Sequence, residues 1–83
     1  MFMVYILESL SSHKYYIGCT DNVERRLKEH NSGLSKYTKN KGPRIIVYRE
    51  EYNQLNSARK REKQVKSWHK RAAIEKLIKG AFV

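Results

Sequence analysis

The sequence predicts an α+β domain: three antiparallel strands flanked by helices, in the order β-β-α-β-α-α. Three observations carry that prediction. Two short runs rich in Tyr, Ile and Val stand near the start, joined by a Ser-rich connection. A third such run follows the turn signal Lys41-Gly42-Pro43. Helical patterns fill the space after the second and third runs, so the elements are mixed rather than strictly alternating.

Phe2 to Leu7 is apolar on both of its faces. That pattern fits a strand buried on both sides, hence a central one. Glu8 to His13 is the polar connection, and Lys14 to Cys19 is the second strand. The pair suggests a hairpin. If its loop centres near Leu10 and Ser11, Tyr5 and Tyr16 face each other across the strands, on one face of the sheet.

Thr20 and Asp21 offer helix caps, and Asp21 with Glu24 resembles a capping box. This helix runs to about Asn31, with Asn31-Ser32-Gly33 as its terminator. Val23 and Leu27 form a narrow apolar edge. Arg26 and His30 lie four residues apart on the same side. Leu34 to Pro43 reads as a basic loop. Arg44 to Tyr52 is the third strand, with Ile45, Ile46, Val47 and Tyr48 at its centre.

Asn56 or Ser57 is the expected cap of a long helix. Its apolar stripe runs through Ala58, Val65, Trp68 and Ala72. Ile74, Leu77 and Ile78 fall on another side of the wheel, which predicts a kink or break near His69 to Arg71. A short last helix then ends at Lys79 and Gly80. Glu62 falls inside the stripe, between Ala58 and Val65 on the wheel. A carboxylate there is costly unless it is paired, hydrogen-bonded or holding a metal. Two readings stay open: a metal ligand, or a structural salt bridge to Arg or Lys.

The 83 residues make one expected domain, residues 1–83. A chain this short buries only about 60% of its unfolded surface, so its core is small. Eighteen Lys and Arg stand against eight Asp and Glu, a net charge of +10. That balance favours an anionic partner, nucleic acid before an anionic membrane surface. It does not by itself identify an enzyme. Cys19 is the single cysteine, which excludes an internal disulfide and a Cys-based zinc site. The apolar start is stopped by Glu8, too early for a membrane span or a signal peptide. A cytoplasmic protein is expected.

Val4-Tyr5-Ile6 and Tyr15-Tyr16-Ile17-Gly18 resemble the two halves of the GIY-YIG nuclease motif. The stretch from Glu24 to Asn31, then Tyr37-Thr38, Pro43 and Arg61 to Trp68 resemble that family's small single-domain branch. That branch is similar to the N-terminal nuclease domain of the excision-repair subunit UvrC. The ordered set is specific: two tyrosines eleven apart, an arginine ten after the second, and an acid on a late helix. The resemblance implies metal-dependent hydrolysis of a DNA phosphodiester, in repair or recombination. It assigns Tyr5 and Tyr16 to the motif tyrosines, Arg26 to the family arginine, His30 to a frequent helix histidine, and Glu62 to the metal-binding glutamate. The implied cofactor is one Mg²⁺ or Mn²⁺ ion.

These residue types suit that chemistry. Glu62 would hold an ion that polarises the phosphate and stabilises the leaving oxygen. Arg26 would grip the phosphate through a bidentate fork. A tyrosine, Tyr5 before Tyr16, would orient the attacking water or take its proton. His30 would hydrogen-bond the phosphate or assist proton transfer. A basic groove for DNA is expected from Lys36, Lys39, Lys41 and Arg44. Two departures stand out. Met3 and Val4 precede the first tyrosine in place of the family's glycine and isoleucine. Cys19 stands where UvrC-like relatives carry a lysine. Two further functions therefore stay open: a non-catalytic nucleic-acid-binding module, and an accessory protein targeted by a protein partner.

Overall fold

The computed structural model describes residues 1–31 and 43–80. Its strands are β1 (Phe2–Ser9), β2 (Tyr15–Thr20) and β3 (Arg44–Tyr52). Its helices are α1 (Val23–Asn31), α2 (Leu55–Lys66) and α3 (Arg71–Ile78). Element order and class are those the sequence predicts. β1 lies in the middle, antiparallel to both neighbours, in the strand order β2-β1-β3.

The unbroken apolar run explains why β1 is central. Val4, Tyr5, Ile6 and Leu7 are all buried. Only a strand covered on both faces can bury such a run, because successive side chains point to opposite sides. Tyr5 and Leu7 face α1, where Val23 and Leu27 pack on them with Met3, Tyr16 and Ile46. Ile6 faces α2 and α3, among Ile17, Tyr48, Val65, Trp68, Ile74 and Leu77. A fully buried aliphatic side chain contributes about 1.5–3 kcal/mol. Neither cluster is large, so the sheet depends on cover from both sides.

The hairpin departs from the expected register. Ser9 is buried, and its Oγ accepts hydrogen bonds from the N–H groups of Ser11 and Ser12. The Ser9 N–H donates to the Lys14 carbonyl, and His13 takes a φ of 59°. The connection is thereby centred later than Leu10 and Ser11. Tyr5 consequently faces Gly18, and Tyr16 faces Leu7. The shift is two residues, so it preserves the faces. Tyr5 and Tyr16 are diagonal neighbours on the α1 side rather than a directly opposed pair.

β3 carries a bulge: Ile6 faces Tyr48, whereas Leu7 faces Ile46. Val47 is the extra residue and packs, like Tyr48, against the α2–α3 cluster. The bulge thus lets β3 serve both cores.

Both expected caps move. Asn22, not Thr20 or Asp21, caps α1: its Oδ1 accepts the Arg25 N–H at 3.0 Å. Thr20 Oγ1 in turn accepts the Asn22 N–H. Asp21 and Glu24 form ion pairs with Arg25 and Arg49 instead of a capping box. α2 starts earlier than Asn56, with Gln54 at the cap position and no side-chain cap bond.

The break after α2 falls where the change of apolar phase requires it. The Ser67 N–H donates to the Lys63 and Gln64 carbonyls, and His69 has a φ of 51°. α3 then presents Leu77 and Ile78 to the same cluster as Val65. Ala72 leaves the stripe and is exposed, because the break turns it away. The expected loop from Leu34 lies outside the described residues up to Gly42. The Pro43 carbonyl accepts the Leu10 N–H. Among the described residues, no helix is long and apolar enough to cross a membrane.

Candidate active site

β1 and β2 supply the two tyrosines, and α1 lays Arg26 and His30 over them. The spacing of four residues puts Arg26 and His30 on the inner side of α1, next to Leu27. Tyr5 is buried, and its ring lies over Gly18 on the neighbouring strand. A methyl group at Gly18 would overlap the Tyr5 hydroxyl and ring. Glycine is thus needed there for a close approach rather than for a special backbone angle.

The Arg26 guanidinium comes close enough to the Tyr5 hydroxyl to act on its ionisation. Burial pushes the Tyr5 hydroxyl above its ordinary value of 10.0, while Arg26 opposes that as hydrogen-bond donor and as charge. The nearby Glu62 carboxylate raises it further. Tyr5 therefore keeps its proton at neutral pH. The same contact with Tyr5 raises Arg26, so its guanidinium stays charged. Arg26 also lies 3.6 Å from the Glu29 carboxylate and remains one-third exposed.

Tyr16 is half-buried. Its ring meets the His30 ring edge-on, with centroids 4.5 Å apart. His30 is buried, which lowers its pKa below 6.5, and the charges of Arg26 and Arg44 lower it further. At neutral pH it is an uncharged ring. The structure brings Tyr5, Tyr16, Arg26 and His30 together on the α1 side of the sheet.

Glu62 comes from the opposite side. α2 packs on β1 and β2, and the Glu62 carboxylate, after burial, opposes the ionisation of both Tyr5 and Cys19. Cys19 follows Gly18, over which the Tyr5 ring lies, so the two faces meet at the β2 edge. Glu62 is 20% exposed and accepts a hydrogen bond from Lys66 Nζ at 2.8 Å. Arg59, one turn earlier, places a positive charge near Cys19.

The single carboxylate fits a hard divalent ion that keeps most of its waters and draws on phosphate oxygens. No cluster of three or more His, Cys, Asp or Glu occurs among the described residues. Lys36, Lys39 and Lys41 of the expected groove lie outside the described residues. Arg44 is not part of an open groove: it is buried, 5% exposed, and its backbone is clamped by the Asn31 side chain. That clamp joins the end of α1 to the start of β3, so Arg44 acts on His30 from within.

The sequence reading missed a second acid network. Glu50 accepts hydrogen bonds from Arg61, Tyr48 and Tyr52. Burial alone would raise the Glu50 carboxyl, but these donors outweigh it and hold the group below its usual range. The signal was present: Glu50 sits on the inward phase of β3 between Tyr48 and Tyr52, as Glu62 sits on the inward stripe of α2.

The family model described as the GIY-YIG catalytic domain matches residues 1–77. A UPF0213 protein of Syntrophus aciditrophicus is 46% identical over 76 residues, covering 89% of this chain and 83% of its own. A UPF0213 protein of Natronomonas pharaonis is 40% identical, covering 90% and 87%. The solution NMR structure of the UPF0213 protein BH0048 from Bacillus halodurans is similar with a TM-score of 0.60. It shares 36% identity and the match covers 95% of this chain and 84% of that one. The chain belongs to the GIY-YIG family of nuclease domains, which implies an endonuclease-type function.

Proposed function

We propose that the protein is a DNA endonuclease that hydrolyses phosphodiester bonds at the β2 edge with one divalent ion. The observation that carries this reading is the buried Tyr5 hydroxyl, packed over Gly18, which senses the charges of Arg26 and Glu62 from helices on opposite faces of the sheet. A positive fork and a carboxylate flanking one hydroxyl suit a phosphate that needs both a donor and an ion.

A Mg²⁺ or Mn²⁺ ion held by Glu62 would supply positive charge to the phosphate and offset the carboxylate charge that raises Tyr5. Arg26 binds the non-bridging oxygens through its exposed N–H groups, where negative charge grows in the transition state. Tyr5 is buried and committed to Arg26, so it orients that guanidinium. Tyr16 is the more accessible hydroxyl and positions the attacking water. This assignment reverses the order expected from sequence. His30, neutral and buried, holds the Tyr16 ring in place rather than touching the phosphate. A role in repair or recombination is consistent with the resemblance to UvrC.

One observation favours a second reading. Lys66 neutralises Glu62 within one helix, which is what a structural salt bridge in a non-catalytic binding module would look like. Incubation with supercoiled plasmid and branched DNA, with Mg²⁺, Mn²⁺ or EDTA, separates the two. Metal-dependent nicking should fall at least about 100-fold in Glu62→Gln and in Arg26→Ala, the scale of losing a charge-stabilising group. Equal nicking in all three proteins, or none in any, would reject the nuclease reading.

A further inference from the structure

We infer that Asn31 is a positioning residue for the α1 side of the site: its amide ties the end of α1 to the first residue of β3 and so sets where His30 and Tyr16 stand. The inference deepens the nuclease reading and rests on it for the role of the groups being placed. The Arg44 N–H donates to Asn31 Oδ1 at 2.8 Å, and Asn31 Nδ2 donates to the Arg44 carbonyl at 3.2 Å. Both main-chain groups of one residue are thereby taken by one side chain. Arg44 opens β3, an edge strand, and its partner across the ladder is Ser9. On an edge strand alternate residues turn their N–H and C=O outward together. The Asn31 amide meets that pair as a single added residue of strand would. A planar group bonded at both of its ends fixes a direction as well as a distance.

The apolar ties of α1 lie toward its start and middle. The helix is nine residues long, and it packs on the sheet core through Val23 and Leu27. Its first turn is held by the Thr20–Asn22 and Asn22–Arg25 bonds and by the Glu24–Arg49 pair. The clamp holds the other end, and Arg26 and His30 lie between. His30 directly precedes Asn31, and its ring meets the Tyr16 ring with centroids 4.5 Å apart. A tilt of the last turn is therefore passed to Tyr16 through that contact. The clamp also keeps the Arg44 charge beside His30, where the other charges acting are Arg26 and Glu29 of α1. Asparagine is the residue type that fits: aspartate lacks the donor, and glutamine carries the amide one methylene farther out. Asn31 is exposed, so its bonds compete with water and their loss costs the fold little. The bidentate geometry thus serves placement more than stability.

NMR of the His30 and Tyr16 rings, run beside plasmid nicking with Mg²⁺, tests the assignment. Asn31→Ala should move the His30 titration midpoint up toward 6.5 and shift the Tyr16 ring signals toward their unfolded positions. Its kcat for nicking should fall about 10- to 100-fold with KM within about twofold, the scale of misplacing a reacting group. Asn31→Asp keeps the acceptor for the Arg44 N–H alone, and its kcat should fall between the two. Ile78→Ala loosens the α2–α3 cluster on the opposite face and should leave the rings and kcat as in wild type. Unmoved His30 and Tyr16 signals in Asn31→Ala would overturn the inference. So would a wild-type kcat in Asn31→Ala, or an equal loss of kcat in Ile78→Ala. The ring signals do not depend on cleavage. Signals that move in a chain that nicks nothing keep the placement by Asn31 and remove the nuclease reading; nicking by wild type with unmoved signals does the reverse.

Discussion

The two sides of the sheet solve opposite electrostatic problems. On the α1 side the inward polar groups are two tyrosines, a neutral histidine and two arginines. On the α2 side they are two carboxylates, Glu50 and Glu62, each held by a basic partner on α2. Glu50, on β3, has both carboxylate oxygens occupied by donors. Glu62 has one lysine and lies by β2. The difference teaches where a ligand could enter: the network closed by five hydrogen bonds to the Glu50 carboxylate is finished, while the one near the β2 edge is not. It also explains why β2 is the thin wall. At Gly18 the Tyr5 side chain from one face senses the Glu62 charge from the other.

The largest expected effect on stability comes from thickening that wall. Gly18→Ala puts a methyl group into the Tyr5 hydroxyl and ring. Tyr5 is fully packed in the core around Leu7 and Val23, so it has little room to give. Overpacking of this kind costs about 1–3 kcal/mol. Urea unfolding would measure it. A stability equal to wild type would show that the ring swings aside, and the comparison of a rigid wall with two faces would break.

A smaller effect separates the two carboxylates. Glu50→Gln keeps the shape and an acceptor but removes the charge, leaving Arg61 without its anion; the expected cost is about 0.5–1.5 kcal/mol. Tyr48 and Tyr52 are pushed up to about 12 by burial and by the Glu50 hydrogen bonds. Their raised values stabilise the fold below the ordinary tyrosine value and lose that contribution as pH rises through the range up to about 12. In Glu50→Gln the alkaline titration of tyrosine absorbance should begin earlier. Glu62→Gln should leave the Tyr48 and Tyr52 part of that titration unchanged while removing nicking. If Glu50→Gln abolished nicking with little loss of stability, the division into a structural and a functional acid would be wrong.

Much of this was legible in the residues. The apolar run of β1 has only one place in a three-stranded sheet. The phase change from Ala58, Val65 and Trp68 to Ile74, Leu77 and Ile78 dictates a break, and His69 supplies it. Glu62 stands out because a carboxylate on an apolar stripe must be compensated. The remainder depended on tertiary detail. The register of the hairpin turned on whether the buried Ser9 hydroxyl would gather the N–H groups of Ser11 and Ser12, which pattern alone does not encode. Arg44 reads as a surface cation by type, yet the Asn31 clamp draws its backbone inward. Asn22 won the cap over Asp21 because Arg25 gave Asp21 an ion pair instead.

The smallest effect distinguishes the neutral α1 side from the anionic α2 side by pH. His30 has a folded pKa below 6.5, lowered first by burial and then by Arg26 and Arg44. The unfolded chain binds the proton more readily, so stability rises with pH across the window between the folded value and 6.5. Acidification from neutral should therefore weaken the fold as pH drops through about 6.5, with a slope of at most about 1.4 kcal/mol per pH unit for one proton. The loss is complete once pH falls below the folded value. His30→Gln removes this slope while keeping a polar side chain against Tyr16. Carboxylates lose their contribution at lower pH, where Glu50 protonates, so the two sides separate along the pH axis. Unfolding midpoints measured from pH 7.5 down to about 5 would resolve the histidine. A wild-type curve flat through that range would mean that His30 takes its proton without cost, and the α1 side could not then be described as built around a neutral ring.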